Sequence, residues 1–341
     1  MIKAGIVGLG NHGIRHLNAI QVHKGIKIVA VCDKNRKNFD LVSDKLNKVN
    51  IYNNVEDLFR NEKLDLISIV TNGPSHASII KSATLYGIPY IFCEKPLCNS
   101  MSEAKEIIQQ CEVSKTRFIV GYIRRFSHDY ANLIKVINSG AIGRPRHYHI
   151  TVGSGLFAAV GIHYLDLFRM ISQSEPISVY GKLGSSDIAN PRGNEFEDLG
   201  AFAVYLLNDG SRCVIDILDD LGVPPKFEII GSLGRIIMHG DEENGAYWSL
   251  YQRNEALKNE SLRRYDINLE ERKMERSKLN IIDLLAEGYS LLLSNKKITS
   301  DQYDGAKGVE MILAAHISSK EDRIITLPLD KKYDDFFVPF T

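Results

Sequence analysis

Neither sign of charge is in excess in this 341-residue chain: Lys and Arg together number 42, and so do Asp and Glu. A balanced chain has no general attraction for nucleic acid or for an anionic membrane surface, so neither is expected as a partner. Cysteine is sparse: Cys32, Cys93, Cys98, Cys111 and Cys213 are odd in number and form no Cys-x-x-Cys pair. That argues against a disulfide framework and a zinc site, leaves no metal to be expected, and fits a reducing compartment. No apolar run approaches the length of a membrane-spanning helix. Gly5, Gly8 and Gly10 interrupt the apolar start, which lacks the small-residue cleavage pattern of a signal peptide, so a cytoplasmic location is expected. Internal repeats and low-complexity linkers are also missing. The chain is 44% hydrophobic and 25% charged, an ordinary globular composition, and longer than one core usually serves. Two domains are expected.

Short apolar runs alternate with amphipathic ones in the first third. Strands are expected near Lys3–Val7, Lys27–Cys32, Leu64–Val70, Pro89–Cys93 and Arg117–Gly121, each rich in Ile, Val, Leu or Phe as strands buried on both faces are. Helices are expected at Ile14–His23, Arg36–Leu46, Ser75–Tyr86 and Ser102–Ser114, the last with Ser102 as its N-cap. This order predicts a doubly wound parallel sheet. After about Tyr122 the rhythm changes. A helix at Tyr130–Asn138 precedes strands at His147–Val152, Ile177–Leu183, Ala201–Leu207, Cys213–Leu218, Lys226–Ile230 and Arg235–His239. Asn208-Asp209-Gly210 reads as a hairpin turn, so this sheet is expected to be large and mostly antiparallel. Helices at Leu279–Leu293 and Asp301–Ser319 close the chain and are placed to pack back on the first domain. Residues 1–122 and 123–341 are the expected domains, the whole being of the α/β class. The highly charged Asn254–Arg276 reads as a solvated face.

Gly8-Leu9-Gly10-Asn11-His12-Gly13 follows the first strand and opens the first helix, the context in which this pattern carries weight. Gly8 permits the tight turn, Gly10 lets backbone approach a pyrophosphate, and Gly13 lets the helix pack on the strand. Asn11 and His12 lie at the helix N-terminus, whose N–H groups attract an anion. Asp33 ends the second strand, placed to accept from a ribose hydroxyl. NAD is the expected cofactor; Lys34 and Arg36 keep NADP as the alternative. Gly231-Ser232-Leu233-Gly234 lies between two strands with no helix after it and reads as a hairpin turn. Cys93 reads as a small buried hydrophobe.

Two more segments stand at C-terminal strand ends, where open α/β sheets bind ligands: Thr71-Asn72-Gly73-Pro74-Ser75-His76 and Glu94-Lys95-Pro96. With Gly121–Phe126, Ser139–Gly143, Gly161–Asp166 and the closing Ala306–Ser319 helix, they make the chain resemble the glucose–fructose oxidoreductase, inositol dehydrogenase and rhizopine-catabolism family. The resemblance runs over nearly the whole length.

That resemblance implies a Rossmann domain and a second domain whose open sheet forms a homodimer or homotetramer. It implies hydride transfer at a secondary hydroxyl of a sugar, polyol or nucleotide-sugar. Gly8, Gly10, Asn11, His12, Gly13, Asp33, Thr71, Asn72, His76, Glu94 and Lys95 would surround the cofactor. Lys95 would polarise the reacting hydroxyl and His163 would exchange its proton. Tyr122, Arg124, Arg125, Tyr164 and Asp166 are candidates to line the substrate, with an interdomain ion pair the competing reading for the arginines and core packing for the tyrosines. Family members commonly carry an aspartate four residues before the histidine, where this chain has Ala159. Two alternatives accompany the dehydrogenase: an internal NAD redox cycle driving elimination or hydrolysis, and a non-catalytic dinucleotide-binding regulator, which Ala159 favours.

Overall fold

The computed structural model describes residues 1–153, 155–184, 190, 192–218, 224–239, 247–253 and 269–341. In the first third, each apolar run becomes a strand because helices cover both faces of the sheet it joins. Strands β1 (Ile2–Val7), β2 (Ile26–Cys32), β3 (Asn50–Tyr52), β4 (Leu66–Ile69), β5 (Tyr90–Cys93) and β6 (Arg117–Val120) pair in the order β3-β2-β1-β4-β5-β6, every neighbouring pair parallel. β4 is buried at every position. The strand order reverses between β1 and β4, which opens a crevice at their C-terminal ends.

The intervening helices are α1 (Asn11–Val22), α2 (Lys37–Asp40), α3 (Val55–Asn61), α4 (His76–Leu85) and α5 (Met101–Ser114). Two expectations need correction here. The long helix over Arg36–Leu46 is a four-residue turn followed by a 3-10 turn at Ser43–Lys45. Asn35 accepts from the Lys37 N–H and the Ser43 hydroxyl donates to the Asp40 carbonyl, so polar side chains compete with the helix ladder. The N-cap of α5 is Ser100, not Ser102: its hydroxyl accepts from the Glu103 N–H at 3.2 Å.

The second part begins with α6 (His128–Asn138) and β7 (Pro145–Thr151). One wide turn at Phe157–Gly161, closed by the Gly161 N–H on the Leu156 carbonyl, leads into α7 (Ile162–Ser172). Then come β8 (Pro176–Leu183), β9 (Ala201–Leu207), β10 (Arg212–Asp216), β11 (Lys226–Gly231), β12 (Gly234–His239), β13 (Tyr247–Arg253), β14 (Leu269–Glu275), α8 (Ile281–Leu293), α9 (Gln302–Glu321) and β15 (Ile325–Thr326). They build a nine-stranded sheet, β14-β13-β12-β11-β7-β10-β9-β8-β15, antiparallel except for the β7–β10 pair. Both expected turns form: Gly210 takes φ +82° between β9 and β10, and Ser232–Leu233 joins β11 to β12. Of the charged Asn254–Arg276 segment, residues 254–268 lie outside the described residues, while 269–275 are β14, a strand at the sheet edge where charge guards against further pairing.

The closing helices return to the first sheet. Leu285, Tyr289 and Leu292 of α8 pack with Leu17 and Ile20 of α1 in one core. α9 is buried from Gly305 to Ser318, Lys307 excepted, because it lies between α5 and β8. Among the described residues no helix is long and apolar enough to cross a membrane.

Candidate active site

The crevice above β1 and β4 is shaped by glycine. Gly8 has φ +96°, and a Cβ there would meet the Val70 carbonyl oxygen at 2.5 Å. A Cβ on Gly13 would stand 2.1 Å from the Gly8 oxygen, so α1 can pack this close only without a side chain. A Cβ on Gly10 would meet nothing within 4 Å: that position faces the open cleft. Gly10 also starts α1 with no side-chain cap, leaving first-turn N–H groups for an anion. Asp33 stands beside them, its Oδ2 accepting from the Leu9 N–H at 2.6 Å and from Asn38 at 2.9 Å, its Oδ1 from the Asn35 N–H at 2.8 Å. The cleft measures about 640 Å³ and is lined by Gly8, Gly10, Asp33, Lys34, Thr71 and Asn72, with Phe196 reaching in from the second part of the chain.

A second cavity of about 380 Å³ adjoins the end of β5 and is lined by His12, Arg15, Glu94, Arg124, His163 and Tyr164 among others. The Lys95–Pro96 bond is cis. Lys95 is buried, and its Nζ donates to the Ala159 carbonyl at 2.9 Å. Burial, only partly countered by Glu94, brings its ammonium down to about 8. Burial alone would raise the Glu94 carboxyl, but the hydrogen bond from His16 at 3.0 Å and the nearby charges hold it at about 2. His16 in turn meets the Tyr289 hydroxyl at 2.6 Å, and Tyr289 meets Ser68 at 2.5 Å. His163 stands on the first turn of α7. Burial first, then the charges of Lys95, Arg124, His12 and Arg192, push its imidazole well below its ordinary value, so it is neutral at pH 7. The Arg124 guanidinium lies 5.0 Å over the Tyr164 ring.

Residues 2–122 match the model of an oxidoreductase family with an NAD-binding Rossmann fold, the glucose–fructose oxidoreductase, inositol dehydrogenase and rhizopine-catabolism family. Residues 2–122 carry this family's nucleotide-binding domain. The chain is 28% identical to the uncharacterized oxidoreductase YrbE of Bacillus subtilis over 249 residues, 68% of this chain and 72% of YrbE. It is 32% identical to the inositol 2-dehydrogenase of Salmonella typhimurium over 156 residues, 43% of this chain and 46% of that enzyme. The fold matches an oxidoreductase from Agrobacterium radiobacter, solved with NAD+, L-tartaric acid and magnesium, at TM-score 0.79 and 21% identity over 95% and 98% of the two chains.

The expected residues divide into groups. Gly8, Gly10, Asp33, Thr71 and Asn72 meet at the cleft, and Gly13 supports it from behind. Asn11 is exposed at the start of α1. His12, Glu94, Arg124, His163 and Tyr164 meet at the second cavity. His76 does neither: it is fully buried, Nδ1 2.7 Å from the Pro96 carbonyl and Nε2 2.9 Å from the Thr71 carbonyl, so it ties the loop after β4 to the loop after β5. Arg125 and Asp166 turn to each other. Arg125 Nε lies 3.0 and 2.8 Å from the two Asp166 oxygens, Nη2 lies 2.7 Å from Oδ1, and Nη1 donates to the Thr299 carbonyl at 2.6 Å. Their charges are engaged in a buried brace away from the second cavity, which corrects their expected substrate role. Tyr122 is likewise corrected to a core residue, 1% exposed and packed against Gly308 of α9. The sequence reading missed His16, Tyr289 and Asp198. Only His16, three residues after Gly13, carried any signal.

Proposed function

We propose that the protein is an NAD-dependent dehydrogenase moving a hydride between the cofactor and a secondary hydroxyl carbon of a sugar, polyol or nucleotide-sugar. The carrying observation is the neighbourhood of Lys95: a buried ammonium beside a neutral His163, adjoining a cleft whose glycines, uncapped helix and Asp33 fit a dinucleotide. When bound, NAD accepts or returns the hydride. The chain does the rest. One Lys95 N–H is held by the Ala159 carbonyl, which fixes the head group and leaves two donors for the reacting oxygen. That cation stabilises alkoxide character as the C–H bond breaks. His163, neutral at pH 7, takes the hydroxyl proton. The same cations that keep it neutral also favour its handing the proton on.

The inositol dehydrogenase relative supports a polyol-like substrate for this chain. Assembly as a homodimer or homotetramer is supported by the nine-stranded sheet, whose β9 turns Phe202, Val204 and Leu206 away from the core. A division near residue 122 is supported by the two sheets sharing no strand.

The test is the pair Lys95→Met and His163→Ala. Each is expected to lower kcat, Lys95→Met by about 10²–10³-fold, with NAD affinity by calorimetric titration little changed. Near-normal turnover in either variant removes that residue from the mechanism.

A further inference from the structure

Residue 159 offers no side-chain carboxylate, yet a buried carboxylate reaches its backbone. Asp198 lies in the segment before β9, 5% exposed. Its Oδ1 accepts from the Ala158 N–H at 2.7 Å and its Oδ2 from the Ala159 N–H at 2.8 Å. The segment is registered by the Phe157 N–H donating to the Leu199 carbonyl at 3.2 Å and by the Glu197 N–H donating to the Pro339 carbonyl at 3.0 Å. Ala159 thus has its N–H on Asp198 and its carbonyl on the Lys95 ammonium at 2.9 Å. One residue of backbone separates an acid from a base.

We propose that Asp198 is a positioning residue for the reaction: through the Ala159 backbone it sets where Lys95 sits, and its charge helps keep that lysine protonated. Both oxygens accept N–H bonds, a task only the ionised carboxylate performs fully. Among the described residues, Glu94 and Asp198 favour the charged form of Lys95, while burial, Arg192 and Arg124 oppose it. Glu94 is the stronger of the two supporting acids and Asp198 the second. The charged groups facing Asp198 itself are Lys95, from the loop after β5, and Arg192, from its own segment. Burial raises the Asp198 carboxyl to about 6 against the pull of the two N–H bonds and those cations. Ionised Asp198 supports Lys95 above that pH and is lost as the pH falls through it.

The catalytic meaning of this device rests on the assignment of Lys95 as the group that meets the hydroxyl; its electrostatics do not. The test therefore needs no substrate. The whole protein is acetylated with trace acetic anhydride across a pH series, and labelling of Lys95 is read by peptide mass spectrometry in the natural protein, Asp198→Asn and Asp198→Glu. The expected result is a Lys95 titration that moves down by about 1 pH unit or more in Asp198→Asn and stays near the natural value in Asp198→Glu. An unchanged Lys95 titration in folded Asp198→Asn overturns the proposal. Should that variant not fold, the natural protein decides: its Lys95 curve must show a second inflection near pH 6, and a single step overturns the proposal. A redox-silent enzyme with the Lys95 shift intact would instead refute the dehydrogenase reading.

Discussion

Replacing Arg125 by methionine keeps an unbranched apolar stem, removes the guanidinium and strands the Asp166 carboxylate. That carboxylate is 3% exposed and receives three contacts of 2.7–3.0 Å from the guanidinium. Asp304 keeps Arg169 at 2.7 Å, so the loss falls mainly on Asp166. Breaking a buried pair costs about 3–5 kcal/mol, but the penalty has a ceiling, because Asp166 can take up a proton instead. Neutralising a group whose ordinary value is 3.8 costs about 4 kcal/mol at pH 7 and about 2 kcal/mol at pH 5. Burial already holds the Asp166 carboxyl above its ordinary value with Arg125 present, and removal of the cation raises it further. For an acid raised in the folded state, stability falls as the pH rises from the unfolded value through the folded one. Unfolding entropy scales to roughly 0.7 kcal/mol per kelvin for 341 residues. The variant should therefore melt about 6 °C below the natural protein at pH 7 but only about 2 °C below it at pH 5, by differential scanning calorimetry. An equal deficit at both pH values would refute the ceiling argument, and no deficit would refute the brace.

Gly13→Ala places a Cβ against the Gly8 carbonyl; an overpacking strain of about 1–3 kcal/mol in the phosphate loop should weaken NAD binding by roughly one to two orders of magnitude. Unaltered NAD affinity would detach Gly13 from the cofactor. Tyr289→Phe leaves His16 Nδ1 and the Ser68 hydroxyl buried without the phenol, which should cost about 1–3 kcal/mol in urea unfolding; no loss would mean that the chain from Glu94 is not under load. With Lys95 near 8, kcat/KM should decline as pH rises through that value. Lys95→Met should lack this limb, and a limb that survives belongs to another group.

What was legible in the sequence is what burial and local geometry dictate. β1 to β6, apart from β3, announce themselves because strands covered on both faces are mostly apolar, as Leu66–Ile69 is at every position but Ser68. Gly8 and Gly13 are legible because no other residue fits the turn or the close packing. Arg36–Leu46 misled because its buried Phe39, Val42 and Leu46 keep a helical spacing while Asn35 and Ser43 break the ladder. β14 reads as a solvated run because an edge strand made of Leu269–Glu275 is charged along most of its length. The long-range pairs left no local trace. Arg125 and Asp166 lie 41 residues apart, Ala158 and Asp198 40, His16 and Glu94 78, and each meeting depends on the finished fold. A family pattern points to Lys95 and His163; only the structure brings Asp198 to the backbone N–H of Ala159.

The most direct test of the account is the reduced-nicotinamide absorbance band of the purified protein supplied with NAD and, in turn, polyols, sugars, sugar acids and nucleotide-sugars. Growth of the band with one of these classes, abolished in Lys95→Met, is the predicted result. A protein that binds NAD in the cleft above Gly8 and Gly10 yet reduces none of it with any of these classes would contradict the dehydrogenase reading.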